Sequence, residues 1–159
     1  MEKKHRLEKE FYLGEIAVAF TCCIFDKKNL FKEPGVIRRF EEILLQELTA
    51  FNLGTYVYIF MSNHLHLVTY GKVSSSNPLL FMKSFKQKTG FWLSKNLSQY
   101  KWQKDFYDHI IRNDEDIRNQ VYYILNNPVR AGIVDNWKEY PHKGSTEYNL
   151  DEIEGQNAA

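Results

Sequence analysis

Tyr56-Val57-Tyr58-Ile59-Phe60-Met61-Ser62-Asn63-His64-Leu65-His66-Leu67-Val68 contains two runs of β-forming residues separated by a polar pair, and the fold turns on this stretch. Residues 56–60 and 64–70 predict two strands, with Ser62-Asn63 as a short hairpin connection. Side chains two apart on a strand share a face. His64 and His66 therefore stand side by side on one sheet surface, while Leu65 and Leu67 go to the other. Each neutral imidazole offers one nitrogen lone pair, so the pair is half of a divalent-metal site that still needs oxygen ligands. Taken alone, a His-x-His pair is more often two independently hydrogen-bonded histidines at a strand end, because two-residue matches arise readily by chance.

The flanking sequence completes the pattern. Upstream, residues 14–25 are dominated by β-formers and predict a strand. Pro34-Gly35 opens a helix whose apolar positions Val36, Ile37, Phe40, Ile43, Leu44, Leu48 and Phe51 follow helical spacing. Asn52-Leu53-Gly54 is its stop signal. Downstream, Asn77-Pro78 opens a second helix to about Lys95, with Gly90 as its weak point. Residues 100–112 predict a fourth strand with Trp102, Phe106, Ile110 and Ile111 as its apolar content. Asn113 caps a third helix with acids in its first turn, carried by Ile117, Val121, Tyr122, Ile124 and Leu125 until Asn127-Pro128 breaks it. From Asp135 onward the chain is loop-like. The order of elements spells an α+β, ferredoxin-like split βαβ sandwich: a four-stranded antiparallel sheet with two helices on one face, plus a C-terminal helix carrying tyrosines. The expectation is one domain over residues 1–159, with 1–12 and 147–159 flexible.

A chain of 159 residues can bury a real core without disulfide staples. Its net charge of +1 says little as a total, but the distribution is uneven. No acidic residue falls between Glu47 and Asp105, whereas Lys72, Lys83, Lys86, Lys88, Lys95, Lys101 and Lys104 all do. A middle third of purely positive charge that also contains both histidines suits a polyanionic partner, although lysine runs are usually solvated helix faces. Cys22 and Cys23 are adjacent on a strand, point to opposite faces and lack zinc-knuckle spacing, as expected of a reducing compartment. No apolar stretch approaches the roughly 20 residues that span a bilayer. A cytoplasmic protein without a membrane partner is expected.

The third helix holds a second group. Tyr122 and Tyr123 are followed by Asn126 and Asn127, and residues four apart share a helix face. Tyr123 thus pairs with Asn127 and Tyr122 with Asn126. One pair faces inward, and periodicity leaves open which. A phenol beside a metal-held phosphate can act as a nucleophile, and a neighbouring amide can supply an oxygen ligand. Any tyrosine taken alone is more often a core residue with its hydroxyl at the rim.

Three stretches in order, Met61-Ser62-Asn63-His64-Leu65-His66-Leu67, Trp102 to Arg112 (Trp-Gln-Lys-Asp-Phe-Tyr-Asp-His-Ile-Ile-Arg) and Tyr123-Ile124-Leu125-Asn126-Asn127-Pro128-Val129-Arg130-Ala131-Gly132, together resemble the single-tyrosine HUH transposases. The similarity is greatest to the REP-associated tyrosine transposase branch and covers about residues 14–134. It implies that His64 and His66 hold Mg²⁺ or Mn²⁺ at the scissile phosphate, that Tyr123 is the nucleophile and that Asn127 completes the metal shell. It also implies a reaction: a metal-dependent endonuclease and strand transferase cuts single-stranded or hairpin repeat DNA through a 5′-phosphotyrosine intermediate. Ser62 stands where a proline is common in that family, which alters the turn and leaves the ligands in place. The second tyrosine of replication-initiator and relaxase relatives, one helical turn away, is absent here.

DNA of this kind needs phosphate contacts and aromatic platforms. Lys83, Lys86, Lys88 and Arg130 are the candidates for phosphates. Trp92, Trp102 and Phe106 are expected in the core, and Asp108-His109 is a possible contributor to the site. Both a monomer and a homodimer fit the sequence. Two other functions compete: a domesticated, non-catalytic regulator that binds repeat DNA, and an RNA-binding ferredoxin-like module in which the histidines stack or hydrogen-bond.

Overall fold

A computed structural model describes residues 7–153. Five strands, β1 (Ala17–Cys23), β2 (Leu53–Met61), β3 (His64–Gly71), β4 (Tyr107–Ile111) and β5 (Lys143–Gly144), form one antiparallel sheet in the order β4-β1-β3-β2-β5. Helices α1 (Val36–Ala50) and α2 (Pro78–Asn96) cross over between strands, α3 (Asp114–Leu125) follows β4, and a single turn, α4 (Asn127–Arg130), continues it.

The period-two alternation of the strands divides the molecule into two layers. Val18, Phe20 and Cys22 of β1, Tyr58 and Phe60 of β2, and Leu65 and Leu67 of β3 join one core with Phe40 and Leu44 of α1 and with Phe81, Met82 and Phe85 of α2. Ala17 and Ala19, Val57 and Ile59, and Val68 join the other with Val121, Ile124 and Leu125 of α3. The α+β architecture is as expected, with α1 and α2 on one face. The third helix covers the opposite face, the one toward which His64 and His66 alternate.

Local signals explain where the elements begin and end. The Asn113 side chain accepts from the Asp116 N–H, as an N-cap does, and Asn77 does the same for Leu80 ahead of Pro78. Asn52 ends α1 in a left-handed conformation (φ 55°), which asparagine tolerates better than most residues. Helix α2 runs through Gly90 without a break. In the β2–β3 hairpin Met61 pairs with His64, leaving the two-residue turn Ser62-Asn63. Neither residue has the positive φ of the turns usually favoured there. The turn is instead held from outside: the Ile24 and Phe31 N–H groups donate to the Asn63 and Ser62 carbonyls at 2.9 and 3.0 Å.

Two expectations change. The sheet has a fifth, two-residue strand within the region expected to be loop, since β5 pairs with β2. Trp137 and Tyr140 are buried, and the Tyr140 hydroxyl donates to the Phe60 carbonyl at 2.5 Å, which draws this segment onto the sheet edge. The fourth strand starts at Tyr107, later than residue 100; ahead of it Trp102 makes only a lone bridge to Ile24, its ring buried in the α1/α2 core. Of the ends expected to be flexible, residues 1–6 and 154–159 lie outside the described part. Within it, Tyr12 is buried with its hydroxyl donating to Asp108, Tyr148 stacks on Tyr56, and Leu150 is buried.

Candidate active site

His64 and His66 lie on β3 with ring centroids 4.6 Å apart and planes nearly perpendicular, at 82°. Each ring has one nitrogen occupied. Nδ1 of His64 is 2.7 Å from the Asn63 amide oxygen, and Nδ1 of His66 is 2.8 Å from the Thr21 hydroxyl. An amide oxygen can only accept, so His64 carries its proton on Nδ1 and keeps the lone pair on Nε2. The Thr21 hydroxyl accepts as readily as it donates and is compatible with the same tautomer for His66. Burial pushes the pKa of His64 below its usual value. Burial, followed by the nearby His64 and the positive charge of Arg130, pushes His66 down to about 3. Both rings are therefore neutral near pH 7, the form in which an imidazole ligates a metal.

Helix α3 packs over the same sheet face, touching β2 and β3. Its two tyrosines part ways. Tyr122 is half-buried and lines a pocket of about 420 Å³ with Tyr56, Tyr148 and Leu125. Tyr123 is 50% exposed, and the Arg130 guanidinium lies 3.8 Å from its ring centroid. Asn126 donates its side-chain N–H to the Tyr122 carbonyl and closes α3. Asn127 begins α4 half-buried, four residues beyond Tyr123, and its amide has no hydrogen-bond partner among the described residues.

Two neutral imidazoles on β3 and a side-chain amide at the start of α4 are the donor types that suit a divalent cation also taking oxygen ligands. Among the described residues, no group of three His, Cys, Asp or Glu side chains is placed to hold a metal.

The structure places the four basic candidates differently. Arg130 lies over the Tyr123 ring. Lys83, Lys86 and Lys88 belong to α2, on the far face of the sheet. Lys86 donates to the carbonyls of Gln103, Lys104 and Asp105 at 2.8, 3.3 and 3.1 Å, tying the segment before β4 to the helix. Lys88 forms an ion pair with the buried Glu47 at 2.7 Å, and Lys83 is exposed. Thr21, Asn63 and Gln120 are not singled out by sequence. Asn63 adjoins a histidine and was within reach of a sequence argument. Thr21 is recognisable only from the strand register that pairs it with His66. Gln120 lines a cleft with His66 that exists only once α3 is docked.

No family model matches the chain. It is 26% identical over 134 residues to a Haemophilus influenzae protein whose curated name proposes a REP-associated tyrosine transposase, the match covering 77% of this chain and 76% of that protein. Its fold is similar to that of a solved REP-associated tyrosine transposase bound to a REP hairpin, with a TM-score of 0.73 at 20% identity over 90% of this chain and 82% of that one. The likeness to REP-associated tyrosine transposases is thus present in sequence and in fold. No helix among the described residues is long and apolar enough to cross a membrane.

Proposed function

We propose that this chain is a REP-associated tyrosine transposase: a metal-dependent endonuclease and strand transferase acting on single-stranded or hairpin repeat DNA through Tyr123. One observation carries the reading. His64 and His66 alternate toward the sheet face that α3 covers, and α3 carries Tyr123, a residue from a distant part of the sequence, with the Arg130 guanidinium over its ring. The DNA partner is drawn from the relative whose solved structure holds a REP hairpin.

His64, His66 and Asn127 would hold Mg²⁺ or Mn²⁺, with Thr21 and Asn63 fixing the imidazoles so that Nε2 faces the ion. A bound divalent cation supplies positive charge to the scissile phosphate, where phosphoryl transfer most needs it. The Tyr123 oxygen attacks phosphorus in line. The P–O3′ bond breaks, the 3′-oxygen leaves and takes up a proton, and the phenolic proton passes to solvent. The strand's 5′ end is then joined to Tyr123 as a phosphodiester. In the second step a 3′-hydroxyl attacks the same phosphorus, breaks the bond to Tyr123 and restores the phenol. One phosphodiester replaces another throughout, so no nucleotide triphosphate is consumed. The planar, multi-donor guanidinium of Arg130 is suited to holding the phosphate oxygens during both steps.

A labelled hairpin oligonucleotide with single-stranded flanks, incubated with the protein and Mn²⁺, tests this on a denaturing gel. The wild type forms a covalent protein–DNA band that EDTA prevents. Tyr123→Phe and His66→Ala form none, while both still bind the oligonucleotide. Wild-type binding without any band would instead identify a non-catalytic repeat-DNA regulator.

A further inference from the structure

Strand β4 is one edge of the sheet. Tyr107 and His109 alternate onto the same face as His66, since Thr21 is the register partner of both Tyr107 and His66, and Ala19 is that of His109. Tyr107 therefore lies two strand spacings from His66, about 10 Å. A cleft of about 150 Å³ lies between this edge and α3, and Tyr107, His109, His66, Thr21 and Gln120 are among its lining. Gln120 is one helical turn before Tyr123 and Ile124, so α3 presents the glutamine amide alongside the nucleophile.

Three properties of this cleft point to its occupant. Tyr107 is 54% exposed, so its ring at the rim of the cleft is open to a ligand. The side chains of Tyr107, His109 and Gln120 make no hydrogen bond to protein among the described residues, leaving a hydroxyl, an imidazole and an amide available. The lining contains no lysine or arginine and includes the Asp108 carboxylate, so it is unsuited to a phosphate and suited to an uncharged, flat, hydrogen-bonding ring. Its volume also falls below the roughly 300 Å³ at which sites for drug-sized ligands begin.

We propose that this cleft is a subsite for one unpaired nucleobase of the DNA strand adjoining the scissile phosphate. Tyr107 stacks on the base, and His109 and Gln120 read its edge. Stacking on an exposed ring tolerates any base, whereas the amide and imidazole discriminate between bases. The cleft thus sets a sequence preference at a single position beside the cut. The inference rests on the nuclease reading for the identity of the strand, and its test separates the two.

The probe is a hairpin oligonucleotide with 2-aminopurine placed at successive positions of its single-stranded flank, bound to the Tyr123→Phe protein so that no cleavage intervenes. Quenching of fluorescence is expected at one position. It is lost in the further variant Tyr107→Ala and kept in Tyr107→Phe, with circular dichroism confirming the fold of each. In the Tyr123-intact protein, Gln120→Ala flattens the base preference for adduct formation at that position by roughly tenfold. Quenching at no position, or quenching unchanged in Tyr107→Ala, overturns the subsite. An adduct with wild-type protein in that case leaves the nuclease reading standing, and quenching without any adduct does the reverse.

Discussion

On the α1/α2 face of the sheet, Phe31, Phe40, Phe60, Phe85 and Trp102 pack ring against ring with centroids 5.0–6.4 Å apart. On the α3 face the sheet offers mainly Ala17, Ala19, Val57, Ile59 and Val68, and beside this thinner core lie two half-buried imidazoles, an exposed tyrosine and an open cleft. The polar groups differ in the same way. Trp102 donates its indole N–H to Thr89 at 2.7 Å, whereas the buried indole N–H of Trp137, on the α3 side, has no partner among the described residues. Lys88 and Lys86 on α2 are engaged by a carboxylate and by backbone carbonyls; Arg130 lies over the half-exposed Tyr123 ring. One face supplies the stability, so the other is left room for groups whose best partner is a ligand.

If this division is right, substitutions on the two faces separate stability from activity. Phe85→Ala, at a fully buried site, is expected to cost about 3–5 kcal/mol in chemical denaturation. Tyr123→Phe, half exposed, should stay within about 0.5 kcal/mol of wild type while losing all adduct formation. A Tyr123→Phe protein that unfolds as readily as Phe85→Ala would erase the distinction.

Glu47 offers a pH-dependent version of the comparison. Burial pushes its pKa up, but hydrogen bonds from Lys88 and Ser84 outweigh this and hold it below the usual carboxylate value. A depressed folded pKa contributes stability above the unfolded pKa, and that contribution is lost as pH falls through the folded value. Glu47→Gln is therefore expected to cost about 1.5–3 kcal/mol at pH 7. The gap to wild type should close as pH drops below about 4.3. A gap independent of pH in urea titrations would show that the charge at Glu47 contributes nothing.

Trp102 and Trp137 give the smallest contrast. Trp102→Phe removes a satisfied buried hydrogen bond and should cost about 1 kcal/mol beyond the lost ring area. Trp137→Phe removes an unpartnered donor, and the relief offsets much of what the smaller ring loses. Equal losses in parallel denaturation curves would mean that the Trp137 indole has a partner after all.

Much of this was legible where the cause is local. Alternation in His64-Leu65-His66 sets both imidazoles on one face, and Asn113 caps α3 through its own side chain. What stayed hidden depends on distant pairings. The face chosen by α3 follows from burying Val121, Ile124 and Leu125 against the alternate residues of β1, β2 and β3. Thr21 meets His66 only through the β1–β3 register. Lys86 looks like any surface lysine until the carbonyls of residues 103–105 close around it. Likewise, the sequence leaves Tyr122 and Tyr123 indistinguishable by spacing, and the docking of α3 alone turns one toward Tyr56 and Tyr148 and the other toward solvent.

The central claim is that a phenol from α3 and two imidazoles from β3 act on one phosphate. Mass-spectrometric peptide mapping after digestion of a Mn²⁺-dependent DNA adduct tests it most directly. The account predicts a nucleotide phosphate on Tyr123 in wild type and no modified peptide in His64→Ala. A nucleotide found on Tyr122, or a Tyr123 adduct that forms equally well without His64, would contradict it.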